Sequence, residues 1–321
     1  MTLNVLGRTR RTPTRAQVQQ LPSGMTRSAQ NAAPLAPRPK YTPDLAGRRV
    51  LITGAARGIG AGLADLLTAH GARVALIGLE PEHLSLVAAR NHAPWRECDV
   101  ADAEGVQRAV DEVVADLGGL DIVVANAGIA KQLPIIGGQE GVMEAHLAVN
   151  TLGVYYTLRA AGPHISHPRG YALCTASLAA AVHLPLLGAY SASKAAVEAI
   201  GNTLRQEIKP SGAKVGVAYY AELDTDMTSR GFGTDAGRTL TGGKTISGVA
   251  PLSAGIRALE RGIARRSRRI GAPFWVPAVV PLRQVAQRVV ELKPLPDLVA
   301  SLEIARTEQV DFTTAQPEGR R

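Results

Sequence analysis

Residues 50–60, Val-Leu-Ile-Thr-Gly-Ala-Ala-Arg-Gly-Ile-Gly, run from a short apolar strand into a glycine-rich loop. The loop has the spacing Gly54-x-x-x-Gly58-x-Gly60 and precedes an amphipathic segment that reaches about His70. Strand, tight turn and helix in that order make the phosphate-binding end of a βαβ unit. Gly54 permits the turn, Gly58 lets the backbone approach a pyrophosphate, and Gly60 allows close packing of the helix. The helix N-terminus adds N–H donors and the positive end of its dipole. The competing reading is a tight strand–helix turn that holds nothing.

Outward from this loop, short apolar strands alternate with helical segments. Strands are expected at 50–52, 74–77, 95–98, 122–125, 171–175 and 215–220, with a short last one near 270–272. Pro81 opens the second helix, as a proline at the first helical position can. Fully apolar strands separated by helices predict a parallel sheet covered on both faces, and right-handed crossovers make it doubly wound. The expected fold class is therefore α/β, a Rossmann-type sheet in a single domain over residues 47–275. Residues 1–46 are expected to be a disordered basic tail, and 276–321 a helical C-terminal extension.

Composition fits a soluble globular chain, with 45% apolar and 20% charged residues. The net charge of +9 sits at the periphery: residues 1–40 contribute +7 and residues 257–288 another +7, leaving the rest at −5. With few interleaved aromatics, this excludes nucleic acid as the expected partner. The N-terminal Arg-rich composition also fits a transit peptide or an upstream start. Cys98 and Cys174 read as small buried hydrophobes rather than a disulfide or metal set. No uncharged apolar run reaches the roughly 18 residues of a spanning helix, and a reducing, cytoplasmic compartment is expected.

A second stretch carries the chemistry: residues 177–194, SLAAAVHLPLLGAYSASK. Tyr190 and Lys194 are four residues apart, hence on one face if helical. An ammonium near a phenol favours the phenolate and brings it toward acid/base work near neutrality. Ser177, after the strand at 171–175, is placed to deliver a hydroxyl to the same point. A half-buried tyrosine beside a snorkelling lysine is the bland alternative.

Taken together, Thr53-Gly54…Gly58-Ile59-Gly60, Asp99-Val100, Asn126-Ala127-Gly128, Asn150, Ser177, Tyr190 and Lys194 resemble the short-chain dehydrogenase/reductase family over roughly residues 47–275. The resemblance implies a hydride-transferring enzyme using NAD(P)(H). Tyr190 would be the acid/base, Lys194 would lower its pKa and hold the nicotinamide ribose, and Ser177 would stabilise the substrate oxygen. Asn150 would hold its helix and a relay water. Asp99 would meet the adenine amino group, Val100 and Asn126-Ala127-Gly128 would border the cofactor, and Thr225 would contact the carboxamide. A homodimer through the helices bearing Asn150 and Tyr190 is implied by analogy alone.

Two departures stand out. Tyr220-Ala221 replace the family's usual Pro-Gly beside the nicotinamide, which keeps a catalytically silent cofactor-binding scaffold or sensor as the alternative. The end of the second strand lacks the aspartate that commonly binds the NAD ribose. Arg57 would face a 2′-phosphate there, while Glu80 would bind a ribose diol or repel that phosphate; the lean is to NADP(H). An epimerase of the extended relatives is disfavoured by the glycine loop and the short region after the sixth strand. Residues 231–248, rich in Gly and Thr, occupy the place of a substrate lid. Beyond them, the Arg265–Arg269 cluster and the apolar run Phe274–Leu282 suit contact with anionic lipid or a cover over the pocket. Either points to a lipophilic small-molecule substrate.

Overall fold

Strands that bury both faces need cover on each side, and the chain supplies it. The computed structural model describes residues 45–243, 245, 248–309 and 311–317. The expected tail, up to residue 44, lies outside the described residues.

Seven strands, β1 (Arg49–Thr53), β2 (Arg73–Gly78), β3 (Trp95–Glu97), β4 (Ile122–Ala125), β5 (Tyr171–Thr175), β6 (Lys214–Tyr220) and β7 (Arg269–Ala272), form one parallel sheet in the order β3-β2-β1-β4-β5-β6-β7. The order reverses between β1 and β4, so a crevice opens there at the carboxyl ends of the strands. One face is covered by α1 (Gly58–Ala69), α2 (Pro81–Asn91) and α8 (Leu252–Ala264), whose Leu63, Leu84 and Leu259 are fully buried. The other is covered by α3 (Ala103–Leu117), α5 (Gly153–Ile165) and α6 (Gly188–Glu207) through Val110, Ala161 and Val197. The Asp102 carboxylate caps α3 by accepting the Glu104 N–H at 3.1 Å, and Gly118 ends it at φ +71°, the left-handed conformation that glycine adopts freely.

The helical stretch expected around 141–164 is not uniform. A short α4 (Val142–His146) passes into a π turn (Leu147–Leu152) before α5 begins. Such π insertions commonly mark functional positions, and this one carries Asn150.

The expected lid is more regular than its composition indicates. Residues 235–241 form α7, capped by Thr234 Oγ1 accepting the Gly237 N–H at 2.9 Å. Lys244, Ile246 and Ser247 of that stretch lie outside the described residues. Beyond β7 come α9 (Val276–Val279), α10 (Arg283–Leu292) and α11 (Leu298–Thr307). Val276 and Val280 are fully buried in the core that covers α5 and α6. β7 runs between the arginine cluster, which ends at its first residue Arg269, and the apolar run that follows Ala272, so the two flank opposite ends of that strand. No helix among the described residues is long and apolar enough to cross a membrane.

Candidate active site

The C-terminal edge of the sheet opens into a cleft of about 1000 Å³ that extends from Glu80 and Asp99 to Tyr190 and Trp275. At its first end the glycine loop delivers α1 without a side-chain cap and without an acid in the first turn. The first N–H groups of that helix are thus left for a ligand, and an anion is the ligand they suit. Gly58, at φ +54°, has only Thr225 Cγ2 within 4 Å of where a Cβ would sit. Gly54 and Gly60 serve packing instead: a Cβ would come within 2.7 Å of Ala127 Cα and 2.3 Å of Gly54 O respectively. A long cleft running from a bare helix N-terminus to a Tyr–Lys pair fits a dinucleotide.

Most candidate residues line this cleft: Gly54, Arg57, Gly58 and Ile59, then Glu80, Asp99 and Val100, then Asn126-Ala127-Gly128, Ser177, Tyr190, Lys194 and Thr225. Thr53, Gly60 and Asn150 stand behind it. Thr53 Oγ1 accepts the N–H groups of Asn126 and Ala127 at 3.0 and 3.2 Å, tying β1 to the loop after β4. Asp99 lines the wall and also accepts the Ala101 N–H at 2.9 Å, as a turn carboxylate does.

The reacting end is built on α6. Tyr190 and Lys194 share its inner face, 7% and 3% exposed. Ser177 opens a short 3-10 turn after β5, accepts the Ala179 N–H at 3.1 Å and is hydrogen-bonded to the Tyr190 phenol. Lys194 Nζ donates to Thr175 O at 2.9 Å and lies 5.8 Å from the Tyr190 ring centroid. A Cβ on Gly128 would press on Lys194 Nζ and Asn150 Oδ1, each 3.2 Å away, so glycine keeps that space open.

Burial sets the titration of this pair. It pushes the Tyr190 phenol above its ordinary value, and the Ser177 hydrogen bond pulls the other way. It lowers the Lys194 ammonium to about 8. The expected drop in the phenol's pKa is therefore not the net direction in the protein. Desolvation outweighs the Ser177 hydrogen bond, and the Lys194 ammonium donates to a main-chain carbonyl.

The Tyr220-Ala221 departure leaves the backbone regular. β6 continues to Tyr220, pairing with Ala272, and the Ala221 N–H donates to Ala272 O at 3.0 Å. The left-handed conformations of this chain do not include Ala221, so nothing there requires glycine. Arg57 is not free either. Its Nε donates to Glu80 Oε2 at 2.8 Å, Nη2 to Glu80 Oε1, and Nη1 to Asp226 Oδ2 at 3.2 Å.

Sequence reading missed several groups in and behind the cleft wall. His146 and Phe232 stand edge-on to the Tyr190 ring, with centroids 6.2 and 5.4 Å away. Trp275, Val279, Ala286 and Val290 wall the far end, an arrangement the apolar run after β7 had signalled in part. Thr313, Thr314 and Gln316 also border the cleft, and no motif announces them.

The sequence pattern of the family described as short chain dehydrogenase matches residues 48–234. Over 256 residues the chain is 29% identical to 11-beta-hydroxysteroid dehydrogenase-like 2 of Arabidopsis thaliana, covering 77% of this chain and 80% of that protein. A short chain dehydrogenase from Burkholderia cenocepacia, solved in complex with NADP, superposes with a TM-score of 0.63 at 30% identity, over 71% of this chain and 96% of that one. A short chain dehydrogenase/reductase from Burkholderia phymatum, solved in complex with NAD, shares the fold with a TM-score of 0.68 at 20% identity, over 79% and 98%. The chain belongs to the short-chain dehydrogenase family and is a nicotinamide-dependent oxidoreductase.

Proposed function

We propose that this short-chain dehydrogenase transfers hydride between NAD(H) and a lipophilic secondary alcohol or ketone. The observation that carries the substrate class is the wall around Tyr190. Val182, Leu184, Leu187, Phe232, Trp275 and Val290 face the cleft there, and apolar walls with few polar groups select by shape and hydrophobic burial. The segment after residue 275 supplies part of that cover.

Tyr190 gives its proton to the forming alkoxide in reduction and removes it in oxidation. Ser177 holds the same oxygen and stabilises its developing charge. Lys194 supplies the positive charge that favours the phenolate and sits where a nicotinamide ribose would be held, while Asn150 keeps its π turn and the loop after β4 in register. The nicotinamide, when bound, donates or accepts the hydride. The N-terminus of α1, Asp99, Val100, Asn126, Ala127, Gly128 and Thr225 would hold the dinucleotide.

The lean to NADP(H) depended on Arg57. With that guanidinium held between Glu80 and Asp226, the three side chains carry a net charge of −1, which disfavours a 2′-phosphate and suits a ribose diol. NAD(H) is therefore the cofactor proposed. Fluorescence titration with NADH and NADPH tests this; tighter NADPH binding would restore Arg57 as a phosphate ligand. A screen with ketones of steroid size tests the substrate, and turnover confined to small polyols would sink the lipophilic reading. Tyr190→Phe should bind cofactor normally and lose about 10²–10⁴ in turnover. Unchanged turnover would favour the scaffold alternative.

Two surface features support finer readings of partners. Leu152 and Tyr155 face outward on the π turn and α5, 43% and 47% exposed, and support a homodimer through α5 and α6 that sedimentation would detect. Leu282, Val285, Val289 and Leu292 are exposed at helical spacing along α10, beside the pocket. They support peripheral contact with a lipid surface, which vesicle co-sedimentation would test.

A further inference from the structure

The C-terminal segment returns across the molecule to the Glu80 end of the cleft. On its way α11 is fastened to α7: Ser301 Oγ donates to Ala236 O at 2.8 Å, and the Glu308 carboxylate accepts the Asp235 and Ala236 N–H groups at 2.6 and 3.1 Å. Phe312 then packs edge-on to the buried His146, centroids 5.8 Å apart, with Lys131 Nζ 5.3 Å from its own centroid. Two residues later Thr314 Oγ1 donates to Glu80 Oε2 at 3.2 Å, the same oxygen that accepts from Arg57 Nε. Gln316 Nε2 donates to Thr314 O at 2.9 Å and stiffens the turn. Thr313, Thr314 and Gln316 form cleft wall, and the cleft still encloses about 1000 Å³ beside them.

We propose that residues 312–316 are a strap completing the adenosine end of the cofactor site, in which Thr314 positions Glu80 to select a ribose without a 2′-phosphate. The inference rests on the dinucleotide-binding reading above. A carboxylate accepts about four hydrogen bonds. Arg57 takes two of them and Thr314 a third, so Glu80 is held from both sides with acceptor capacity left for a ribose hydroxyl. Without Thr314, Glu80 is held from the Arg57 side alone. The carboxylate can then swing from the ribose, and the guanidinium gains freedom to meet a phosphate. Phe312 is the anchor that keeps the strap over this position.

The test is nicotinamide fluorescence titration of the full-length protein with NADH and with NADPH, for wild type, Thr314→Val, Thr314→Ser and Phe312→Ala. Thr314→Val removes one hydrogen bond to a charged group and should weaken NADH binding about fivefold to tenfold. NADPH affinity should hold or improve, so the preference for NADH falls. Phe312→Ala should act in the same direction, and Thr314→Ser, which keeps the hydroxyl, should restore the wild-type preference. An unchanged preference in both Thr314→Val and Phe312→Ala would overturn the strap. Tightening of both nucleotides would overturn it too, marking the segment as a plug. Wild type that binds neither nucleotide defeats the dinucleotide reading itself, a result distinct from wild type that binds while its variants do not differ.

Discussion

Asn150 holds both main-chain polar groups of Ile129: its Nδ2 donates to Ile129 O at 3.0 Å, and its Oδ1 accepts the Ile129 N–H at 2.8 Å. The remaining Nδ2 hydrogen goes to Ser193 Oγ at 2.9 Å, and Ser193 donates to Tyr190 O at 2.7 Å. One fully buried side chain thereby ties the loop after β4 and the π turn to the first turn of α6.

Asn150→Ala leaves the Ile129 N–H and C=O unpaired away from solvent. Each unmade bond of that kind costs about 1–3 kcal/mol, so the variant should lose about 2–6 kcal/mol in urea unfolding, with an unchanged slope. An unchanged midpoint would show that Asn150 acts on chemistry alone.

Lys194→Met should stabilise the protein at neutral pH while impairing it. The folded ammonium titrates near 8 against an ordinary 10.5, so the unfolded chain binds more protons between those values. Holding the charge inside therefore costs stability below pH 8, and the cost is relieved as pH rises toward 10.5. The variant's gain should be on the order of 3 kcal/mol at pH 7, less the penalty of an unpaired Thr175 carbonyl, and should fade over that window. Its alcohol oxidation should need a higher pH, since removing a positive charge disfavours the Tyr190 phenolate. Urea unfolding at pH 7 and 10 and a rate profile against pH check the two halves.

Asp121 anchors the start of β1. Burial pushes its carboxyl up, but hydrogen bonds and charge from Arg49, with the charge of Arg48, outweigh that and hold it at about 2. This stability is present above the unfolded carboxyl's range near ~4 and is lost as pH falls through the folded value. Asp121→Asn should cost about 2 kcal/mol at pH 7 and flatten the decline in stability between pH 4 and 2. A parallel decline in both proteins would place the acid sensitivity elsewhere.

Arg283 fastens α10 to the body through Glu198, with Nη1 and Nη2 at 3.0 and 2.6 Å from its two oxygens. Arg283→Gln leaves a carboxylate that is only 7% exposed. The half-open arginine limits the loss to about 1–3 kcal/mol. Amide exchange should quicken in residues 283–292 and not in α1. Uniform acceleration would mean that the pair supports the whole fold rather than the pocket cover.

At Tyr220-Ala221 the strand pairing continues without the family's Pro-Gly. Ala221, which is not among the described residues of positive φ, leaves β6 with its N–H paired to Ala272 O. The arginine cluster and the apolar run are set by the short strand between them. They are close in sequence and lie at the two ends of β7.

Local pattern was enough for the sheet, the glycine turn and the Tyr190–Lys194 face, because each depends on residues within a few positions of one another. The strands fall where they were expected; the inner ones are apolar along nearly their whole length because both faces are covered, while β3, at the sheet edge, is Trp95-Arg96-Glu97 and partly open. Tertiary structure decided the rest. It engaged Arg57 with Glu80 and Asp226, 23 and 169 residues away, and brought Thr314 to Glu80 across 234 residues. It also set the direction of the Tyr190 shift, because desolvation depends on everything that packs around the ring. Hydrogen bonds and burial act through space, and contacts between distant segments leave no periodicity to read.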